Sequence, residues 1–510
     1  VRGVRFSGTS HGQWRFDAAG GRPGPTGHFA PLSPVPGPMG LGALEGHTPA
    51  RGLLTPVALL MFPALAALGR YATADLSPAI FPNFYVLLCA LTVLPALAGL
   101  LRSGASRRAV PTAFLILVLL WVLWAPLTLV WAPDVSFGVN RISLASAALV
   151  SGLCVLGLAA ATSNGLHILR MGWTLAFVVT GAVALWELDT GRHLDTNQAV
   201  VQSSIHVVAS TFYNPNNYAG FLLACLPFLI WNAIVARAAW SRYLHIALVA
   251  GWWVLIAATQ SRTGIVGAVV AAPLLVYWLI RSAMLRRRQI ALPLMLLAFG
   301  VVAGLSFLPL AALGQQALTD LQSQFTPGDG ISASDQARLN LTMLGWRMFL
   351  DSWMLGHGAG AFASNASYWG GLELYGLTNA HNGIVEIAAE YGLPLLLPLV
   401  AVIFAVARAA IARHPAATRA DLLDFRMVAV LGLSAVVASN LVASSILLSP
   451  WWWLLLGQLA AQAWLLPRQW IDAERTRAEA VNGRGRHRIR TGGGPPDPRR
   501  PFADARVAGY

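Results

Sequence analysis

Long uninterrupted apolar runs decide what this chain can become. Crossing about 30 Å of hydrocarbon takes about 20 residues as a helix. Runs of that length recur through most of the sequence, in place of apolar residues spaced at amphipathic helix or strand periods. Little charge is left over: 11% of the residues are charged and 56% are hydrophobic, against roughly 25% charged in soluble domains. Trp131, Trp173, Trp240 and Trp451 stand near the ends of runs, where an indole ring favours the headgroup level. The class this predicts is all-α, a polytopic transmembrane helical bundle.

The runs predict spans at 53–69, 79–101, 111–131, 143–161, 168–187, 217–236, 243–258, 263–280, 290–313, 383–407, 427–447 and 450–466, about twelve in all. Residues 1–50 are rich in Gly, Pro and Arg and read as a disordered cytoplasmic leader. Residues 51–313 hold spans one to nine, 314–382 a long loop with short helices, and 383–466 the last three spans. Residues 467–510 read as a disordered basic tail. The net charge of +14 comes from arginine alone. Because the arginines sit in connections and tails, their charge reads as positive-inside bias and not as a nucleic-acid surface. Arg102, Arg107, Arg108, Arg237, Arg242, Arg281, Arg286–Arg288, Arg408, Arg413, Arg419 and Arg426 fall in connections of one parity. That parity predicts an inner-membrane protein with both termini cytoplasmic and the 314–382 loop periplasmic. Cys89, Cys154 and Cys225 lie inside apolar runs without metal-ligand spacing and read as packing residues. No metal or cofactor site is expected.

Three polar islands fall on the predicted periplasmic side. The first, Asn214-Pro215-Asn216-Asn217-Tyr218, is built of turn formers; it reads equally as a helix-start turn or as a shaper of a site, through Asn214, Asn216 and Asn217. The second, Gln260-Ser261-Arg262-Thr263-Gly264, leaves Arg262 at the membrane boundary. There its guanidinium could grip a phosphate bidentately or simply snorkel. The third comprises Arg338, Arg347, the stretch Gly356-His357-Gly358-Ala359-Gly360, and Asn379-Ala380-His381-Asn382-Gly383-Ile384-Val385-Glu386. His381 can exchange a proton near neutral pH; a capping or hydrogen-bonded loop histidine is the bland alternative. Asn379 or Asn382 could supply a helix cap instead.

Taken in order over roughly 210–400, these motifs resemble the O-antigen ligase/polymerase superfamily of membrane glycosyltransferases. They are Asn-Pro-Asn-Asn, Ser261-Arg262-Thr263-Gly264, the Arg338 segment, Gly356-His357-Gly358-Ala359-Gly360, and His381-Asn382-Gly383 followed by Glu386, Glu390 and Tyr391-Gly392-Leu393-Pro394. The resemblance implies that Arg262 and Arg338 hold the diphosphate of an undecaprenyl-linked glycan donor. It implies that His381 activates an acceptor hydroxyl without a metal. The family's Trp one turn after the loop arginine is Thr342 here, while Trp346-Arg347 follows later, so Arg347 is the alternative equivalent. Asn382 and Glu386 join the site-shaping residues.

The acceptor expected from this resemblance is a lipid A–core sugar. A growing glycan, as in an O-antigen or exopolysaccharide polymerase, and a protein hydroxyl are the alternatives. A transporter or lipid-linked oligosaccharide flippase would place polar residues near the bilayer midplane, whereas the telling residues here lie at one face. A purely structural subunit would tolerate loss of His381.

Overall fold

In hydrocarbon a backbone N–H or C=O finds a partner only within its own segment, so the apolar runs fold as helices. The computed structural model describes residues 54–68, 84–105, 108–194, 207–212, 214–286, 333–366, 380–440 and 445–491. Within them the chain forms α1 (Leu54–Ala66), α2 (Phe84–Arg102), α3 (Ala109–Leu127, prolonged by a 3-10 turn to Trp131), α4 (Val135–Ala161) and α5 (Gly165–Thr190). There follow α6 (Pro215–Val235), α7 (Ala239–Ala258), α8 (Arg262–Arg286), α9 (Ala333–Asp351) and α10 (Ala361–Ala366). The last four are α11 (Gly383–Tyr391), α12 (Leu393–Ile411), α13 (Arg419–Asn440) and α14 (Pro450–Thr491). No strand occurs among the described residues.

Among the described residues nine helices are long and apolar enough to cross a bilayer: α2, α3, α4, α5, α6, α7, α8, α12 and α13. The expected span at 53–69 is the shorter α1, and the one at 290–313 lies outside the described residues, as do the leader and the residues beyond 491. The run 450–466 is helical, but Trp451–Trp453, Gln458 and Gln462 dilute its hydropathy, and the helix continues past Pro467 into the stretch read as tail. The expected span 383–407 is two helices. Gly392 breaks it with φ +68° and ψ −162°, a region essentially closed to residues with a Cβ.

The core centres on α6, almost every side chain of which is buried. It packs on α5, α7, α8 and α13, while α4 packs on α2 and α14, and α12 on α3. Trp173 of α5 stacks on Phe221 and Phe228 of α6. The three cysteines are buried and unpaired, as packing residues should be. Facing outward along the spans are Leu94, Leu101, Val122, Leu123 and Phe404, which lipid tails would cover.

The bundle has two chemically different ends. Helices α8 and α13 run antiparallel: Arg286, at the end of α8, pairs with Asp424 near the start of α13 at 2.5 Å, and Trp278 donates to the same carboxylate at 2.9 Å. At this end Arg426 donates to the Ala410 carbonyl, and Arg468 to that of Ser103. His414, Phe425 and Trp470 meet beside them. At roughly 1.5 Å per residue, Arg262 lies ~36 Å along α8 from Arg286, at the opposite end.

Gly392→Val should destabilise the detergent-solubilised protein, because its Cβ would fall 2.3 Å from the Met354 carbonyl oxygen. The backbone strain alone is about 1–3 kcal/mol. Thermal unfolding followed by circular dichroism reads the loss, and an unchanged midpoint contradicts the account.

Candidate active site

The site is built around the short helix α11. Asn382 caps its N-terminus, its side-chain oxygen accepting from the backbone N–H groups of Ile384 (3.2 Å) and Val385 (3.3 Å). This leaves His381 just outside the helix in a left-handed turn, φ +49°. Its Nδ1 is buried with no hydrogen-bond partner. Burial first, and then the positive charge of Arg338, push the imidazole down to about 4. His381 is therefore neutral at neutral pH, with an arginine beside it.

Arg338 reaches that place because of its helical phase. On α9 the residues Leu341, Leu344 and Met348 are buried, and Gly345 lies against Val385 of α11. Arg338 precedes Leu341 by three positions on this inward side and is half-buried. Nine positions separate Arg347 from Arg338, about 180° around the helix at about 100° per residue, and Arg347 is exposed. The structure brings Arg338, not Arg347, to His381.

A second group forms at the start of α6 and α8. Asn214 caps α6 by accepting from the Asn217 N–H at 2.8 Å. Asn216 accepts from the Ser261 hydroxyl at 2.8 Å, and Ser261 in turn accepts from the Gly264 N–H at 3.2 Å, which starts α8. Arg262 is thereby exposed at the first position of α8, where the helix dipole also favours an anion. The two groups share one end of the bundle. Gly383 lies against Asn440 and Gly220 against Ser439, adjoining residues at the C-terminal end of α13.

Glu386 turns away from His381 into the core. It accepts from Arg141 of α4 at 2.6 Å and from the Ser445 hydroxyl at 2.8 Å and 2.9 Å. Arg141 also lies 4.0 Å from Glu390, and all three side chains are buried. Glu386 thus ties α11 to α4 and to the segment leading into α14. The other end of α11 is held by the Gly-rich stretch: the His357 N–H donates to the Ala389 carbonyl (2.8 Å) and that of Gly358 to Glu390 (3.0 Å). Trp131 donates to the Gly356 carbonyl at 3.0 Å and Trp124 to that of Tyr391 at 2.8 Å. Gly356 and Gly358 have φ of +86° and +99°, and any Cβ there would strike the backbone of Glu390 or Ala132. The glycine motif is a clamp for α11.

Residues 246–400 match the family model described as O-antigen ligase. That match covers less than a third of the chain, and over it the chain is similar to the O-antigen ligase family. The matched region holds Arg262, Arg338, Arg347, His381, Asn382 and Glu386, while Asn214, Asn216, Asn217 and Arg141 precede it. A curated relative, the teichuronic acid biosynthesis protein TuaE of Bacillus subtilis (strain 168), is 25% identical over 285 residues, which is 54% of this chain and 56% of the relative. The chain thus spans about half the length of that relative. Among the described residues, no group of three His, Cys, Asp or Glu side chains is arranged to hold a metal ion.

Sequence reading missed Arg141. Its signal was present: an arginine opening an otherwise apolar run, which in a membrane helix calls for a buried partner. Arg141→Met should leave Glu386 as an unpaired buried charge and cost about 3–5 kcal/mol. Adding Glu386→Gln should recover a large part of that loss. A double variant no more stable than Arg141→Met in the same unfolding assay would show that the pair does not act as one unit.

Proposed function

We propose that this protein transfers a glycan from an undecaprenyl-diphosphate donor to a sugar hydroxyl, with His381 as the base. Arg338 and Arg262 are the diphosphate ligands. The observation that carries this reading is the pairing of a neutral, half-buried histidine with an arginine at the bundle end that also bears Arg262. In the reaction the acceptor oxygen attacks the anomeric carbon as the bond from that carbon to the diphosphate oxygen breaks. His381 takes the acceptor proton, a contribution of about 10²–10⁴-fold when well placed. The charge left on the departing lipid diphosphate is met by the two guanidiniums, whose field is strong where water is sparse. Attack opposite the leaving group inverts the anomeric centre.

An anionic donor also answers a difficulty in the free enzyme, where His381 is a weak base. Once the diphosphate neutralises Arg338, one of the two effects that depress the imidazole is removed, and the base strengthens when its substrate is present. The arginine excess at the opposite end supports an external, periplasmic site by the positive-inside rule. The arginines also do the work of charge neutralisation without a metal. For the acceptor, a lipid A–core sugar is the ligase reading. A relative named for teichuronic acid biosynthesis favours the hydroxyl of a growing glycan, the polymerase reading.

His381→Ala and Arg338→Ala should each lower transfer in membrane vesicles by at least about 10²-fold, while Arg347→Ala stays near wild type and EDTA has no effect. Wild-type transfer by His381→Ala ends this reading. The profile of kcat/KM against pH reports the free enzyme. Because His381 titrates at about 4 instead of the usual 6.5, its acid limb should fall well below pH 6; a limb at the ordinary histidine value counts against a buried base beside Arg338. Gel analysis of surface glycans after gene deletion separates acceptors. Loss of long chains with an intact core supports the ligase, and single-repeat caps support the polymerase.

A further inference from the structure

The exposed side of α9 has the wrong chemistry for a helix in water. Burial along it follows a clean helical period, and the outward positions are Leu339, Met343, Trp346, Arg347, Leu350 and Asp351. Four of these six are large and apolar, spaced four, three and four apart on one stripe. The stripe continues into the following turn, where Trp353, Met354 and Leu355 are also exposed, Trp353 to 89%. Trp353 and Met354 both have positive φ, +55° and +64°, a backbone conformation that costs energy in residues with a Cβ. That strain holds an indole away from the protein instead of burying it.

The depth of the turn identifies what covers it. The Met354 carbonyl accepts from the N–H of Leu393, the first residue of the membrane helix α12, at 2.9 Å. The next residue but one, Gly356, accepts from the indole of Trp131, the last residue of the membrane helix that begins at Ala109. Trp353–Gly356 therefore lies level with the ends of two spans, at the boundary between headgroups and hydrocarbon, where tryptophan partitions. The lone arginine on the stripe, Arg347, suits the same boundary, its apolar stem in the acyl layer and its head among phosphates.

We propose that the outer face of α9 and the turn after it are a lipid seat, lying in the membrane interface with Leu339, Met343, Trp346, Leu350 and Trp353 against acyl chains. The seat holds α9 at a set depth, and Arg338, on the opposite side of the same helix, takes its position beside His381 from that depth. This inference stands on the membrane-spanning fold and does not require the transferase reading.

Nitroxide labels at Met343→Cys, Trp346→Cys, Leu350→Cys and Trp353→Cys test it. Cys89, Cys154 and Cys225 are replaced by alanine and the protein is reconstituted in phosphatidylglycerol–phosphatidylethanolamine vesicles. Power saturation should show oxygen collisions exceeding those with a water-soluble nickel chelate, as at the mid-span control Leu94→Cys and opposite to the aqueous control Arg475→Cys. Preference for the nickel reagent would make the stripe a water-exposed face. Low accessibility to both reagents would mean that protein covers it, a second copy or another partner. Either result overturns the proposal. On the unsubstituted protein, a bilayer-partitioned aryl diazirine should label the 339–355 stretch, and its failure to do so, with α12 labelled, overturns it equally.

Discussion

Charge inside a low-dielectric bundle has to be paired, and the pairing of Arg141 with Glu386 is the contact on which the site depends. Desolvating two ions costs several kcal/mol each, recovered only when geometry is good and the remaining lone pairs are satisfied. Here the carboxylate has the guanidinium at 2.6 Å and a serine hydroxyl spanning both oxygens. One buried group thereby joins three parts of the chain that are far apart in sequence. A nine-residue helix such as α11 is too short to be stable by itself. It persists because Asn382 caps its start, Glu386 pins its middle and the glycine clamp holds its end. The left-handed turn that displays His381 is set by those three restraints.

The second paired charge, Arg286 with Asp424, does corresponding work at the far end of the bundle. It fixes α8 against α13 in antiparallel register. Register matters because α8 begins with Ser261-Arg262 and α13 ends at Ser439-Asn440, the residues that bring the two polar groups to one face. A slip of one helical turn would move Arg262 by about 5.4 Å, further than the reach of a hydrogen bond. The electrostatics at one end thus hold the geometry at the other.

Hydropathy made the spans legible, because length and apolarity are what a bilayer selects. It also hid the break at Gly392. Tyr391-Gly392-Leu393-Pro394 is apolar on both sides, and only the backbone dihedral of the glycine shows that the run is two helices. Arg141 was less legible because it is a single charge in the first turns of an apolar helix, and its partners Glu386 and Ser445 are remote in sequence. The choice between Arg338 and Arg347 needed the phase of α9, which hydropathy does not supply when both faces of a helix are apolar: one side meets α11, and the other carries Leu339, Met343, Trp346 and Leu350. The polar islands themselves were visible, but their contacts were not. Nothing in the spacing of Asn216 and Ser261 announces a hydrogen bond across 45 residues.

The Gly-rich stretch is a motif whose task is disclosed only by its contacts. Glycine-rich loops can bind phosphate through exposed backbone N–H groups. Here the N–H groups of His357 and Gly358 are already spent on the carbonyls of Ala389 and Glu390. The conformations of Gly356 and Gly358 serve close approach to neighbouring backbone. Under the proposed function, anion binding would then fall to side chains, with Arg262 and Arg338 as its carriers. That division is physically sensible at a membrane face. A guanidinium on a long stem can follow a headgroup whose depth fluctuates, whereas a rigid nest of amides cannot.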